Sequence, residues 1–321
     1  MTAHAQPLAA PAAASGPAST AATAGLRAAG DLRLLTWPAL EASGADAAVT
    51  ARRGGVSSGP YATLNLSLSV GDDPARVLEN RRRLAAALGA RPGDFVFARQ
   101  VHGAAVRIVS DADRGSGALR ADDAIPDADA LVTTSPGVVL AILTADCVPI
   151  VLHDPVAGVL ACVHAGWRGT VARVSAAAVA VMTSLGSRPS DVIAGLGPAV
   201  APARYQVGPD VHQAVTQAFG PAAASFLRPD PRAPGRWLLD LWTANRQVLR
   251  EAGLPDPQIN ITNLPTGPVD PNPPAIPANP VSLENPADPT SHGYFFSDRA
   301  ARPCGRMALV ARLRPPVDVT H

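Results

Sequence analysis

The chain has 321 residues, is 47% hydrophobic and carries a formal net charge of +1. That length supports one large domain with a sizeable core, and the near-neutral balance gives no electrostatic pull toward nucleic acid or an anionic membrane surface. All 27 basic residues are Arg, which excludes a Schiff-base lysine and a Walker-type lysine and leaves Arg or backbone amides to hold any phosphate.

In chain order, residues 1 to about 30 are Ala, Pro, Ser, Thr and Gly with few large apolar side chains, and predict a disordered tail. The tail lacks a basic n-region and a continuous apolar stretch, so a secretory signal is not expected. A turn on Gly54-Gly55 follows. Pro74–Leu88 predicts a helix, with Asp72-Asp73 ahead of its first turn and Gly89 as its stop. Strands are expected at 95–101, 105–109, 138–144, 150–153 and 158–164. Residues 170–185 look helical, 191–196 look like a strand, 238–252 predict an amphipathic helix ending at Gly253, and 258–262 and 307–313 are candidate late strands. From about 265 to 289 Pro recurs with Asn and Asp, which predicts a surface insertion. The elements make a mixed α/β or α+β domain over residues 31–321. Three Cys (Cys147, Cys162 and Cys304) form no disulfide framework and fit a reducing compartment. With no apolar run of bilayer length, a cytoplasmic protein without membrane or nucleic-acid partners is expected.

Three residues close short, distinctive motifs: His102 in Gln-Val-His-Gly, Cys147 in Thr-Ala-Asp-Cys and His164 in Val-His-Ala-Gly-Trp-Arg-Gly. All three fall at expected strand ends, where rigid scaffolds present functional groups. Two imidazoles and a thiolate suit zinc with an open coordination position. Their spacing matches no local metal motif, so other readings stay open. Cys147 could be a nucleophile with His164 as base and Asp146 or Gln100 assisting, which leaves His102 without a task. A His-His-Cys set also suits copper, but a multicopper centre needs more histidines than the 7 present.

Taken in order, the motifs resemble the YfiH family, also described as laccase-domain proteins or polyphenol oxidases. It includes enzymes described as purine nucleoside phosphorylases with adenosine deaminase activity, and a bacterial peptidoglycan-editing factor. The residues that carry the resemblance run from Thr50-Ala51-Arg52-Arg53-Gly54-Gly55 and Leu64-Asn65-Leu66 through Val70-Gly71-Asp72-Asp73 and Gln100-Val101-His102-Gly103. They continue with Asp127-Ala128-Asp129-Ala130-Leu131, Thr144-Ala145-Asp146-Cys147 and His164-Ala165-Gly166-Trp167-Arg168-Gly169, and end at Tyr205-Gln206-Val207-Gly208 and Phe295-Phe296-Ser297.

The resemblance implies a single-domain mixed-sheet αββα sandwich with His102, Cys147 and His164 as zinc ligands in a cleft. It implies phosphorolysis of adenosine, inosine or methylthioadenosine to base and ribose 1-phosphate, with adenosine deamination as an added activity. The partners would be nucleoside and phosphate, and the protein a monomer. Editing of cell-wall precursors by hydrolysis is the alternative, and copper-dependent polyphenol oxidation ranks below both. Cys147, Asp146, Gln100 and Arg168 are the catalytic candidates; Arg52, Asn65 and Phe296 are the substrate-binding candidates. Arg52 and Arg168 could clamp phosphate, Asn65 could bind a hydroxyl or cap a turn, and Phe296 could line a base pocket or belong to the core. The chain departs from the family in carrying Gln206 where Glu is usual, and in the insertion beginning Thr266-Gly267-Pro268.

Overall fold

The computed structural model describes residues 24–268 and 293–315. Its strands are β1 (Gly25–Ala29), β2 (Leu32–Thr36), β3 (Ala45–Thr50), β4 (Phe95–Phe97), β5 (Val106–Ile108), β6 (Ala130–Thr133), β7 (Val139–Thr144), β8 (Val148–Asp154), β9 (Val159–Ala165), β10 (Ile193–Leu196), β11 (Gln206–Val207), β12 (Leu227–Pro229), β13 (Trp237–Leu239), β14 (Ile259–Ile261) and β15 (Met307–Leu313). Its helices are α1 (Pro38–Ala42), α2 (Pro74–Ala87), α3 (Trp167–Val171), α4 (Val174–Ser184), α5 (Pro209–Phe219) and α6 (Leu241–Glu251).

Two six-stranded sheets form the centre, ordered β1-β2-β3-β15-β7-β4 and β14-β10-β8-β9-β6-β5. Strand alternation sorts their side chains. Leu131, Val151, Leu160 and Cys162 of the second sheet meet Val49, Leu140, Ile142 and Leu309 of the first in one apolar layer. The opposite face of the second sheet, with Val132, Ile150, Leu152 and Val163, is covered by Val174, Met182, Trp242 and Val248 from α4 and α6. The outer face of the first sheet packs Leu34, Ala141 and Val310 against Leu84 of α2. Each fully buried Leu or Val in these layers contributes roughly 1.5–3 kcal/mol. The result is the helix–sheet–sheet–helix sandwich, and the β11-β13-β12 sheet is a small addition to it.

Helix α2 follows its sequence signals. The Asp73 side chain accepts from the Ala75 amide, Pro74 opens the first turn, and Gly89, at φ 60°, follows the last. Four expectations are corrected. The disorder expected to about residue 30 does not hold for Gly25–Ala29, which pairs antiparallel with β2; residues 1–23 and most of the 265–289 insertion lie outside the described residues. The helix expected at 170–185 is two helices, separated at Arg173, whose left-handed φ of 60° breaks the spiral. The helix expected at 238–252 starts at Leu241, since Asp240 accepts from the Thr243 amide as N-cap and the preceding residues form β13. The strand expected at 95–101 stops at Phe97.

Candidate metal centre

The seam between the two sheets builds the site. β7 belongs to the first sheet and β8 to the second, so residues 145–147 carry the chain from one to the other. Thr144 closes this turn by donating its hydroxyl to the Cys147 carbonyl at 2.6 Å, and Asp146 takes a left-handed φ of 83°. Cys147 sits at the head of β8. His164 sits near the end of β9, opposite Pro149 of β8, which places it beside the turn. His102 lies on the loop after β4 with φ 60°.

These three side chains converge. Their potential ligand atoms all lie within 4.8 Å of one another, and among the described residues they are the one such group of His, Cys and carboxylates. The imidazole rings of His102 and His164 meet edge to face, 4.8 Å between centroids and 78° between planes. Burial by itself opposes a charged Cys147, but the imidazoles of His164 and His102 outweigh it and bring the thiol down to about 6. Cys162, buried among apolar neighbours, is pushed up instead, so the two thiols are chemically distinct. A thiolate with two imidazoles is a donor set that could hold a metal ion such as zinc. It gives His102 a task that a Cys147–His164 dyad does not. His153 and His212 lie elsewhere: His153 is buried against the Ser43 hydroxyl at 2.8 Å, and His212 stacks on Trp237.

The three residues help line a cleft of about 1100 Å³, together with Ser67, Gln100, Asp146, Trp167, Arg168, Tyr205, Asp298 and Arg299. Arg168 is exposed and lies over the Trp167 ring at 4.4 Å. Arg299 lies 5.2 Å from the Tyr205 ring and donates to the Gln206 carbonyl at 2.9 Å. Arg99, Arg302 and Arg306 also face the cleft, but Asp127 pairs with the first and Asp298 with the other two. Among the described residues, no carboxylate pairs with Arg168 or Arg299. Tyr205, Arg299 and Ser67 are cleft residues that the sequence did not single out.

Several candidates sit in supporting positions. Gln100 donates to the Leu143 carbonyl at 2.7 Å and accepts from the Leu143 amide at 2.8 Å. Its side chain thus acts as a backbone would, extending the pairing of β4 with β7. Gln100 and His102 share no strand face, because the chain leaves β4 at Phe97. Both Asp146 carboxylate oxygens are occupied, one by the Thr266 hydroxyl at 2.5 Å and one by the Arg299 amide at 2.6 Å; Asp146 ties the C-terminal segment to the turn that carries Cys147.

Arg52, Asn65 and Phe296 do not line the cleft. Arg52 donates twice to the Ala62 carbonyl and lies over Phe296. Fully buried Asn65 donates to Ser67 and Asp72 and accepts from Ser67 and Arg306. Phe296 is in the core against Gly305. Gln206 turns away too, donating to Asp230 at 2.7 Å, so the loss of a carboxylate there does not reach the cleft wall.

The residue most conspicuously missed is Asp129, which is fully buried. One oxygen meets His164 Nδ1 at 2.8 Å and the His102 amide at 3.0 Å; the other accepts from the amides of Gly103 at 2.7 Å and Val101 at 3.2 Å. An Asp immediately before a fully buried apolar strand must find partners, and that is the signal in the sequence that could have exposed it.

Comparison with known proteins identifies relatives of the whole fold. Residues 46–314 match the family described as multi-copper polyphenol oxidoreductase laccase. The chain is 46% identical over 209 residues to a purine nucleoside phosphorylase of Deinococcus radiodurans, covering 65% of this chain and 76% of that one. It is 40% identical over 221 residues to the purine nucleoside phosphorylase YlmD of Geobacillus stearothermophilus, covering 68% and 80%. The crystal structure of that YlmD superposes with a TM-score of 0.76 at 35% identity, covering 90% of this chain and 98% of that one. A hypothetical protein YfiH of Bacillus licheniformis superposes at 0.77 and 32%, covering 90% and 99%.

Proposed function

The chain belongs to the family described as multi-copper polyphenol oxidoreductase laccase, and from that membership and the site we propose that it is a zinc-dependent purine nucleoside phosphorylase. One observation carries the reading: a His-His-Cys ligand set lines a cleft in which two guanidinium groups, Arg168 and Arg299, have no carboxylate partner among the described residues. The names of its relatives support the activity. The donor set supports zinc over a multicopper centre, which needs more histidines than this cluster supplies.

Phosphorolysis sends a phosphate oxygen to C1′ of the ribose while the bond to the purine nitrogen breaks. Arg168 and Arg299 would hold the phosphate through charge-assisted hydrogen bonds. Trp167 and Tyr205 give the cleft flat apolar walls for sugar and base. Burial raises the Tyr205 hydroxyl, so it remains a hydrogen-bond donor at neutral pH. Zinc held by His102, Cys147 and His164 would supply a Lewis acid there. The substrate class is adenosine, inosine and methylthioadenosine, with adenosine deamination as a second reaction at the same centre.

The test incubates zinc-loaded protein with each nucleoside and phosphate and follows free base and ribose 1-phosphate, with inosine formation from adenosine as the deaminase readout. Phosphate-dependent release of base is expected. Release no faster than in Cys147→Ala sinks the proposal.

A further inference from the structure

Among the buried groups that the proposed chemistry does not use, Asp129 alone bonds both histidines of the cluster. It reaches His164 through the ring Nδ1 and His102 through the backbone amide, with Gly103 and Val101 donating to the same carboxylate. Its own carbonyl also accepts from the His164 amide at 2.7 Å. Three consecutive amides converging on one carboxylate are what hold the loop at His102 in its left-handed turn. The contact at Nδ1 leaves Nε2 as the ring nitrogen of His164 free to face Cys147 and His102.

We infer that Asp129 is the positioning residue of the metal centre: one carboxylate fixes the ring nitrogen that His164 presents and the loop that presents His102. The inference rests on the metal reading above. A buried carboxylate on the far nitrogen of a ligating imidazole sets its tautomer and strengthens it as a donor, and removing such a partner costs about 10- to 100-fold in metal affinity. Here one residue does this for one ligand and sets the backbone of a second, so its loss loosens two of the three.

The experiment compares the full-length wild type with Asp129→Asn and Asp154→Asn. Asp154 is a matched control: it is equally buried and accepts from the Val156, Ala157 and Arg188 amides, away from the cleft. Zinc affinity is measured by competition with a chromophoric chelator, and the thiolate-to-metal band is recorded after cobalt substitution. Asp129→Asn should weaken zinc by about 10- to 100-fold and shift the cobalt spectrum, while Asp154→Asn leaves both at wild-type values. Unchanged affinity and spectrum in Asp129→Asn overturn the inference alone, as does equal weakening in both variants. A wild type that takes up no zinc overturns the metal reading and the inference with it. Should Asp129→Asn not fold, nitrogen-15 NMR of histidine-labelled, zinc-loaded wild type decides: a proton on His164 Nδ1 is expected, and a proton on Nε2 overturns the inference.

Discussion

Gly166 packs so tightly on Cys147 that a β-carbon built on it would lie 2.7 Å from the thiol sulfur, and 3.3 Å from Cδ2 of His102. The backbone of Gly166 has an ordinary φ of −75°, so the demand for glycine here is steric and comes from the ligand cluster. Gly166→Ala should therefore displace Cys147 or His102. Overpacking of this kind costs about 1–3 kcal/mol, and the cost falls where the ligands meet. Expected outcomes are a substoichiometric zinc content by plasma mass spectrometry and a lower melting temperature. Full zinc occupancy in Gly166→Ala would show that the cluster yields without losing its geometry.

Gln100 offers a test of support against chemistry. Its amide makes two bonds to the Leu143 backbone, next to the turn that carries Cys147. Gln100→Ala leaves the Leu143 amide and carbonyl without these partners and should cost roughly 1–3 kcal/mol, read as a lower urea midpoint. Gln100→Glu keeps the acceptor but loses the donor, so it should fall between the two. A proton-transfer function instead predicts that Gln100→Ala retains wild-type stability and loses turnover.

The fate of Gln100 also shows why part of the site was legible and part was not. The long buried strands 138–144 and 158–164 announced themselves as apolar runs, and His164 and Cys147 at their ends followed. The strand at 95 was legible too, but its end was not, because a side-chain amide replaces the backbone ladder after Phe97 and no periodicity records that exchange. Arg52, Asn65 and Phe296 belong to the same motifs as true cleft residues, but sequence order does not say which face a side chain takes. Tyr205 and Arg299 come together from distant segments, through a contact that leaves no local pattern. The helix at 170–185 misled for another reason: its Ala content favours a continuous helix, whereas Arg173, near its start, takes a left-handed φ that no propensity announces.

Arg168 and Arg299 should separate from Arg52 in kinetics. Replacing either cleft arginine by Ala removes a charge-assisted contact worth about 1.5–3 kcal/mol, so the KM for phosphate should rise by roughly 10- to 100-fold with little change in thermal stability. Arg52→Ala, which breaks the clamp on Ala62 and the stacking on Phe296, should instead lower the melting temperature and leave the phosphate KM near wild type. Initial rates over a phosphate series check both. Phosphate saturation unaltered in Arg168→Ala and Arg299→Ala would place the anion elsewhere.

Stability toward acid should be governed in part by His153. It is buried under α1, its Nδ1 2.8 Å from the Ser43 hydroxyl. Burial lowers its pKa from 6.5 to about 4, only partly opposed by neighbouring Asp154. In the unfolded chain the ring takes a proton near 6.5, while in the fold it resists until about 4. The unfolded state therefore binds more protons between those values. Stability is fully present above about 6.5 and is lost as the pH falls toward 4, by about 3 kcal/mol in all. His153→Asn keeps a hydrogen-bonding side chain beside Ser43 and removes the titration. Urea unfolding at pH 7, 5.5 and 4.5 should show the wild type losing stability faster than His153→Asn across that window, with carboxylate titration common to both. Parallel losses in the two proteins would mean that His153 takes up its proton within the fold without penalty.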